Sequence, residues 1–410
     1  MDKMLQKQFD LSRTLNQKIE VTQTLSQQLA LKLRKVKEEN KDKTLQEMSN
    51  NCRHPIYTPI NLNSYKTLKG HFDKVNCCSW YPDNIHIVTS SQDGYLLVWD
   101  STTGLKNNLI ELDDPYVMSC DVSNNSKLVA TGGLDNTLTV YKCEPTFNEN
   151  GNSLLSIMSG HKEYISAVEF LNNSNTQILS ASGDKSSILW DVTKGGHIRN
   201  FYGHLGDVLS LSVDKGPATN SNIFVTTSSD RLAMVWDVRE PLAIRKFLVD
   251  PKCDSSEVKF FPDGNCFAAG CDSGEVKLFD LRADGELASY GLEKVKQYIS
   301  FNGLTSNYST FQNSGMEDLD ANSFAGSFKT SLQASMDNLG VLSIDFSKSG
   351  RLLFSSYAES SNVFIWDVIT GSIIGSLNGH HDLISKVCVS PDGLGIATAS
   401  RDETIKIWST

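Results

Sequence analysis

Seven aromatic residues, five of them followed by Asp, recur along the chain: Trp99, Tyr141, Trp190, Trp236, Phe279, Trp366 and Trp408, at steps of 42, 49, 46, 43, 87 and 42 residues. The 87-residue step holds one ordinary unit plus 44 extra residues, so the chain contains seven units. A period of about 40–45 residues is that of a four-stranded propeller blade. The units also agree internally. Gly-His stands at 70/71, 160/161, 203/204 and 379/380, and an Asp precedes the aromatic by six residues at Asp93, Asp135, Asp184, Asp230 and Asp402. Ser273 and Ser360 break that pattern. Between the markers, stretches such as HIVTSSQDGYLLVWD alternate apolar and polar residues between Gly, Asp and Asn turns, which predicts short strands. Almost no chain follows Trp408, whereas SYKTLKG at 64–70 precedes the first unit. That segment can supply the missing outer strand of the last blade and so remove both open sheet edges.

A His and an Asp that recur together in several units are a fold device, because catalytic groups are usually unique in a chain. The motif is similar to that of WD-repeat proteins, in which this His, the turn Asp, a strand hydroxyl and the Trp form a buried hydrogen-bonded set. The resemblance groups His71, Asp93 and Trp99; His161, Asp184 and Trp190; His204, Asp230 and Trp236; and His380, Asp402 and Trp408. His54, His86, His197 and His381 fall outside these sets, and neither a nucleophile motif nor a GxxxxGK[ST] loop accompanies them. No catalytic, metal or cofactor site is expected. A propeller hydrolase would need a unique His with a nucleophile beside it.

Residues 1–50 read as a helix, without Pro or Gly and rich in Leu, Gln, Lys and Glu. Leu15, Ile19, Leu29, Leu33 and Val36 lie on one stripe at coiled-coil spacing, interrupted by Thr22, Ser26 and Asn40. An isolated helix with such a seam is marginal, so a partner helix, a second copy or the propeller itself is expected to cover it. Residues 51–61, with Pro55 and Pro59, read as a hinge into a propeller at 62–410. Of the formal net charge of −10, residues 1–48 carry +3 (ten basic, seven acidic) and the remainder −13. An acidic body without a basic stripe is a poor match to nucleic acid. The nine cysteines form neither a CxxC pair nor a metal spacing, which suits a reduced compartment. The opening MDKMLQKQFD is too polar for a signal peptide, and no apolar run is long enough to span a bilayer.

Several stretches resemble the β subunit family of heterotrimeric G proteins more closely than WD-repeat proteins in general. They include SQDGYLLVWDSTTGLK, YVMSCDVS, GGLDN, SGDKSSILWDV, GHLGDVLSLS, FDLRADGELASY and FSKSGRLLF, together with LRKVKEENKDKTLQEMSN at the end of the helix. The resemblance implies an all-β seven-bladed WD-repeat propeller with an N-terminal coiled-coil α-helix. It implies a non-catalytic scaffold with three kinds of partner: a γ subunit on the helix, a GDP-bound α subunit on one mouth, and effectors on that mouth after release. By position it carries the mouth contacts onto Lys74, Lys106, Tyr116, Met118, Leu134, Asn136, Tyr164, Asp207, Leu209, Asp254, Asp272 and Arg401. The chain departs from the family pattern at Asn76, Tyr116, Ser229 and Arg401, where the family has Tyr, Trp, Cys and Trp.

The extra residues, 291–337, are rich in Ser, Thr and Asn without sustained periodicity. Such an insertion resembles fungal pheromone-response β subunits, and its eleven Ser/Thr between 300 and 336 suit regulation by phosphorylation. The implied location is the cytoplasmic face of the plasma membrane, reached through a lipidated partner, with a cytoplasmic pool. A coiled-coil WD-repeat scaffold of the corepressor or ubiquitin-ligase-receptor kind is the alternative, and it would self-associate through the helix.

Overall fold

The computed structural model describes residues 24, 26, 28, 29, 31, 32, 62–145, 153–216, 222–291 and 340–409. Among them lie seven four-stranded antiparallel sheets. Blades 1 to 6 each use consecutive strands and span 75–111, 117–159, 165–202, 208–248, 255–290 and 341–377. Blade 7 combines three strands from 384–409 with Asn63–Lys69, which pairs antiparallel with Thr404–Ser409. The first part of the propeller is thereby stitched to the last.

The innermost strands, Val75–Trp80, Val117–Val122, Ile165–Phe170, Val208–Val213, Ser255–Phe260, Val341–Phe346 and Ile384–Val389, pack each against the next and the last against the first. Their alternation puts apolar residues into the spaces between blades. The core accordingly divides into seven clusters, one per blade seam. At the seam of blades 3 and 4, for instance, Phe201 meets Phe224 edge-on at 4.9 Å and Phe224 stacks on Trp236 at 6.2 Å. Each such ring contributes roughly 1.5–3 kcal/mol through burial.

Polar groups align neighbouring blades. Ser119 and Asp121 accept the amides of Val168 and Phe170, Ser210 and Ser212 those of Val258 and Phe260, and Ser343 and Asp345 those of Val387 and Val389. At the first seam Cys77 Sγ takes the Cys120 amide at 3.5 Å. Lys386 reaches Glu257 at 2.6 Å across the inner strand of blade 6. These bonds add orientation to an apolar attraction that has none of its own.

Four blades contain a complete His–Asp–hydroxyl–Trp set. In blade 1, His71 Nδ1 lies 2.8 Å from Asp93, its Nε2 lies 2.8 Å from Thr89 Oγ1, and Trp99 Nε1 donates to the same hydroxyl at 2.9 Å. Ser180 completes the set of His161, Asp184 and Trp190, Thr226 that of His204, Asp230 and Trp236, and Thr398 that of His380, Asp402 and Trp408. One tautomer satisfies every atom: Nδ1–H donates to the carboxylate, the hydroxyl donates to Nε2, and the indole N–H donates to the hydroxyl oxygen. The Asp also binds its own turn. Asp230 accepts the amides of Leu205 and Leu232, and the turn residue Arg231 is held at φ 71°, a left-handed conformation costly for a side-chain-bearing residue.

Two outcomes follow from this architecture. Removing residues 62–69 lowers the melting temperature sharply, since it strips blade 7 of its outer strand; an unchanged value contradicts ring closure. The second concerns acid. Burial pushes the Asp230 carboxyl up, but His204 and the Leu205 and Leu232 amides outweigh it and hold the group at about 2. Asp93, Asp184 and Asp402 are lowered in the same way. A carboxylate depressed below its unfolded value of about 3.9 stabilises the fold fully above that pH and loses the effect as pH falls toward the folded value. Thermal stability therefore stays level near neutrality and drops between about pH 4 and 2, and Asp230→Asn makes that drop shallower. A melting temperature independent of pH down to 2 contradicts the assignment.

Candidate functional site

At one mouth of the propeller the same backbone hydrogen bond recurs in every blade. The residue after the second strand donates its amide to the carbonyl of the residue before the first strand. The pairs are Gln92–Lys74, Leu134–Tyr116, Gly183–Tyr164, Ser229–Asp207, Asp272–Asp254, Ala358–Gly340 and Arg401–Leu383, at 2.8–3.1 Å. This ring contains Lys74, Tyr116, Leu134, Tyr164, Asp207, Asp254, Asp272 and Arg401, eight of the twelve mouth positions singled out in the sequence.

Directly behind each pair the first strand carries a bulge. A bulge re-aims one side chain. At Asn76, Ser166, Ser256 and Ser385 that side chain donates to the carbonyl that opens the next blade, Val117, Val208, Val341 and Val75 respectively. Blades 2, 4 and 6 have Met118, Leu209 and Leu342 at this place. Met118 is 40% exposed, and the two leucines are half-buried. These three positions give up a polar tie between blades for apolar surface, an arrangement that a protein contact rewards and a free monomer does not.

The remaining two mouth candidates differ in setting. Asn136, at φ 62° in the blade 2 turn, donates to the Lys162 carbonyl at 3.2 Å. Lys106 lies on the outer strand of blade 1, away from the ring of pairs. Its Nζ donates to the Gly70 carbonyl at 2.7 Å and stands 5.4 Å from the Trp99 ring centre.

Charge is unevenly arranged around the mouth. Tyr116 and Leu134, both half exposed, give blade 2 an apolar edge. Lys74 and Arg401 are exposed on blades 1 and 7. Blades 4 and 5 present carboxylates. Burial and the neighbouring Asp254 both push the Asp272 carboxyl up, as expected of two like charges side by side. Tyr164 donates to Asp207 at 3.1 Å, and its hydroxyl is pushed up to about 12 by burial and by that Asp. An apolar edge between cationic and anionic sectors can orient a protein partner.

Two loop tips had escaped the sequence reading. Phe72 and Leu205 are each 81% exposed and follow a Gly-His directly, and their amides are held by Asp93 and Asp230 at 3.0 and 2.9 Å. The signal was present, a large apolar residue immediately after the repeat His. Leu342 was detectable too, from its repeat position shared with Met118 and Leu209.

The other histidines have local roles. His86 lies 2.6 Å from Asp83 in its own turn, His197 packs edge-on against Trp190 at 6.3 Å, and His381 is an exposed loop residue. His54 lies outside the described residues, as do Leu15, Ile19, Leu33 and Val36 of the helical stripe. Thr24, Ser26, Gln28, Leu29, Leu31 and Lys32 have helical backbone, with Leu29 60% exposed, but no helix is delimited among the described residues. The expected coiled coil, hinge and insertion thus fall largely outside the described residues. The connection between Tyr290 and Val341 nevertheless opens at the mouth, where equivalent connections take five or six residues.

Comparison with known proteins converges on one family. Residues 16–338 match the model described as G protein beta WD-40 repeat protein, and 326–367 and 371–409 match the WD domain, G-beta repeat. A guanine nucleotide-binding protein subunit beta of Saccharomyces cerevisiae is 39% identical over 96% of this chain and 91% of its own length. The corresponding subunit of Oryza sativa subsp. japonica is 33% identical over 87% and 86%. Subunit beta-5b of Danio rerio is 35% identical over 85% and 76%. A seven-bladed ring with these repeat motifs, matched along nearly its whole length, belongs to the G protein β family of WD-repeat proteins.

Proposed function

We propose that this chain works as a non-catalytic β subunit whose mouth takes a GDP-bound α subunit and, after its release, effectors such as kinases or their scaffolds. The observation that carries the reading is the ring of seven backbone pairs, which holds apolar, cationic and anionic side chains at equivalent positions around one opening. Hot spots of protein interfaces combine buried anchors with a polar surround, and Tyr116, Met118 and Leu134 beside Lys74, with Asp254 farther round the ring, fit that pattern. GTP would reshape the switch segment of the α subunit so that it no longer fits the mouth.

In the same reading the helix at 1–50 pairs with a γ subunit, and a lipid on that partner holds the complex at the cytoplasmic face of the plasma membrane. The Saccharomyces cerevisiae relative and the Ser/Thr-rich insertion favour a role in pheromone receptor signalling, with phosphate on 300–336 tuning access to the mouth.

The test is capture of the full chain from its native membranes with and without a non-hydrolysable GTP analogue, followed by mass spectrometry. The expected result is a small prenylated helical protein retained in both samples, a GTPase α subunit lost with the analogue, and phosphopeptides from 300–336 after stimulation. Recovery of only further copies of the chain, or of nuclear factors, assigns it to the corepressor or ubiquitin-ligase-receptor kind of scaffold. Absence of phosphate in the insertion removes that part of the proposal alone.

A further inference from the structure

Blade 2 keeps half of a His–Asp–hydroxyl–Trp set. Asp113 stands where blade 1 has His71, and Tyr141 where it has Trp99, while the hydroxyl, Thr131, and the turn Asp, Asp135, remain. In this region lies a cavity of about 220 Å³, lined in part by Asp113, Asp114, Thr131, Asp135, Thr139 and Tyr141.

Hydrogen-bond donors are scarce around it. Asp93 in blade 1 has His71 Nδ1 and the Phe72 amide as partners, and Thr89 receives the Trp99 indole. In blade 2 the Asp135 carboxylate is bonded, among the described residues, only by the amide and hydroxyl of Thr137, two residues along the same turn. The Thr131 hydroxyl gives a long bond to the Thr139 carbonyl at 3.4 Å and receives none from the described residues. Thr139 and Tyr141 are only 8% and 5% exposed, both line the cavity, and neither hydroxyl has a hydrogen-bond partner among the described residues. Asp113 and Asp135 are themselves exposed, so the recess opens to solvent.

Blade 5 loses the set in a different way. There Ala269 and Phe279 replace the hydroxyl and the Trp together, and Phe247, Phe267 and Phe279 pack at 5.3–5.5 Å. Blade 2 has instead lost the donors and kept the acceptors. Burial, Asp113 and Asp135 push the Tyr141 hydroxyl up to about 12, as expected of an anionic recess. The volume falls below the roughly 300–1,000 Å³ of small-molecule sites. It is of a size to take the end of one side chain. No three metal-ligating side chains converge as an ion would require, among the described residues. The recess lies beside the Tyr116–Leu134 pair of the mouth, since Asp114 precedes that pair by two residues and Asp135 follows Leu134.

We propose that the blade 2 cavity receives one basic side chain, a lysine ammonium or an arginine guanidinium, from the protein that docks on the mouth. The proposal rests on the mouth being the docking surface for an α subunit. The incoming N–H groups supply the donors that His and Trp provide in blades 1, 3, 4 and 7, and the positive charge meets Asp113, Asp114 and Asp135. The interaction selects among partners, because an α subunit lacking the basic residue leaves the carboxylates facing an unfilled recess.

The test uses the full chain with its γ partner and a GDP-loaded α subunit, reading both affinity and melting temperature. Asp113→His combined with Tyr141→Trp rebuilds the set and fills the cavity. It is expected to keep or raise the melting temperature while weakening α binding at least about tenfold, the loss of one charge-assisted hydrogen bond. Asp113→Asn, which preserves shape, is expected to weaken binding severalfold, and one Lys→Met or Arg→Met change on the α subunit should lose most of its effect in that background. Normal wild-type binding with unchanged affinity in both variants overturns the cavity proposal alone. Failure of the wild-type chain to bind any α subunit overturns the docking reading together with it.

Discussion

In four of its seven blades the mouth of this propeller depends on a hydrogen bond made just behind its loops, between a buried imidazole and the Asp of a neighbouring turn. That Asp takes the ring Nδ1–H, the amide at the loop tip and an amide of its own turn. The ring in turn meets a strand hydroxyl that also receives the Trp indole. One network therefore ties a core aromatic to two surface loops. In blades 1, 3, 4 and 7 the loop ends are thereby fixed relative to the sheet. A surface built on unpinned loops would lose much of any binding energy to ordering them.

The seams show where stability has been exchanged for surface. Four bulge residues tie one blade to the next through a polar side chain, whereas Met118, Leu209 and Leu342 turn an apolar group to the same place. Blades 2, 4 and 6 keep other ties deeper in the ring, including Ser119 and Asp121, Ser210 and Ser212, and Ser343 and Asp345. The ring tolerates the exchange because each seam holds several independent bonds and its own apolar cluster.

Much of this was legible in the sequence because a repeat averages out local ambiguity. The spacing from Gly-His to Trp groups His71 with Asp93 and Trp99, and the hydrogen bonds join the same three residues. The strand at 63–69 could be assigned to the last blade because a four-stranded unit lacked one strand and only one segment was free to supply it. The site was harder. Phe72, Leu205 and Leu342 gain meaning only when the bulge and the pinned loop tip are known, and no periodicity encodes either. The partial loss of the set in blade 2 was visible as Asp113 and Tyr141, but a substitution does not reveal whether the space refills. In blade 5 aromatic rings occupied it; in blade 2 a cavity remained.

The central question for this propeller is whether this mouth is where a partner lands. Amide hydrogen exchange of the full chain with its γ partner, measured with and without a GDP-loaded α subunit, tests this directly. Added protection is expected at the loop tips and ring pairs, in peptides covering 71–76, 114–118, 132–136, 205–209, 254–256 and 401–403, with the outer strands unchanged. Protection confined to the opposite mouth or to the outer strands, or no protection on a complex shown to have formed, contradicts it.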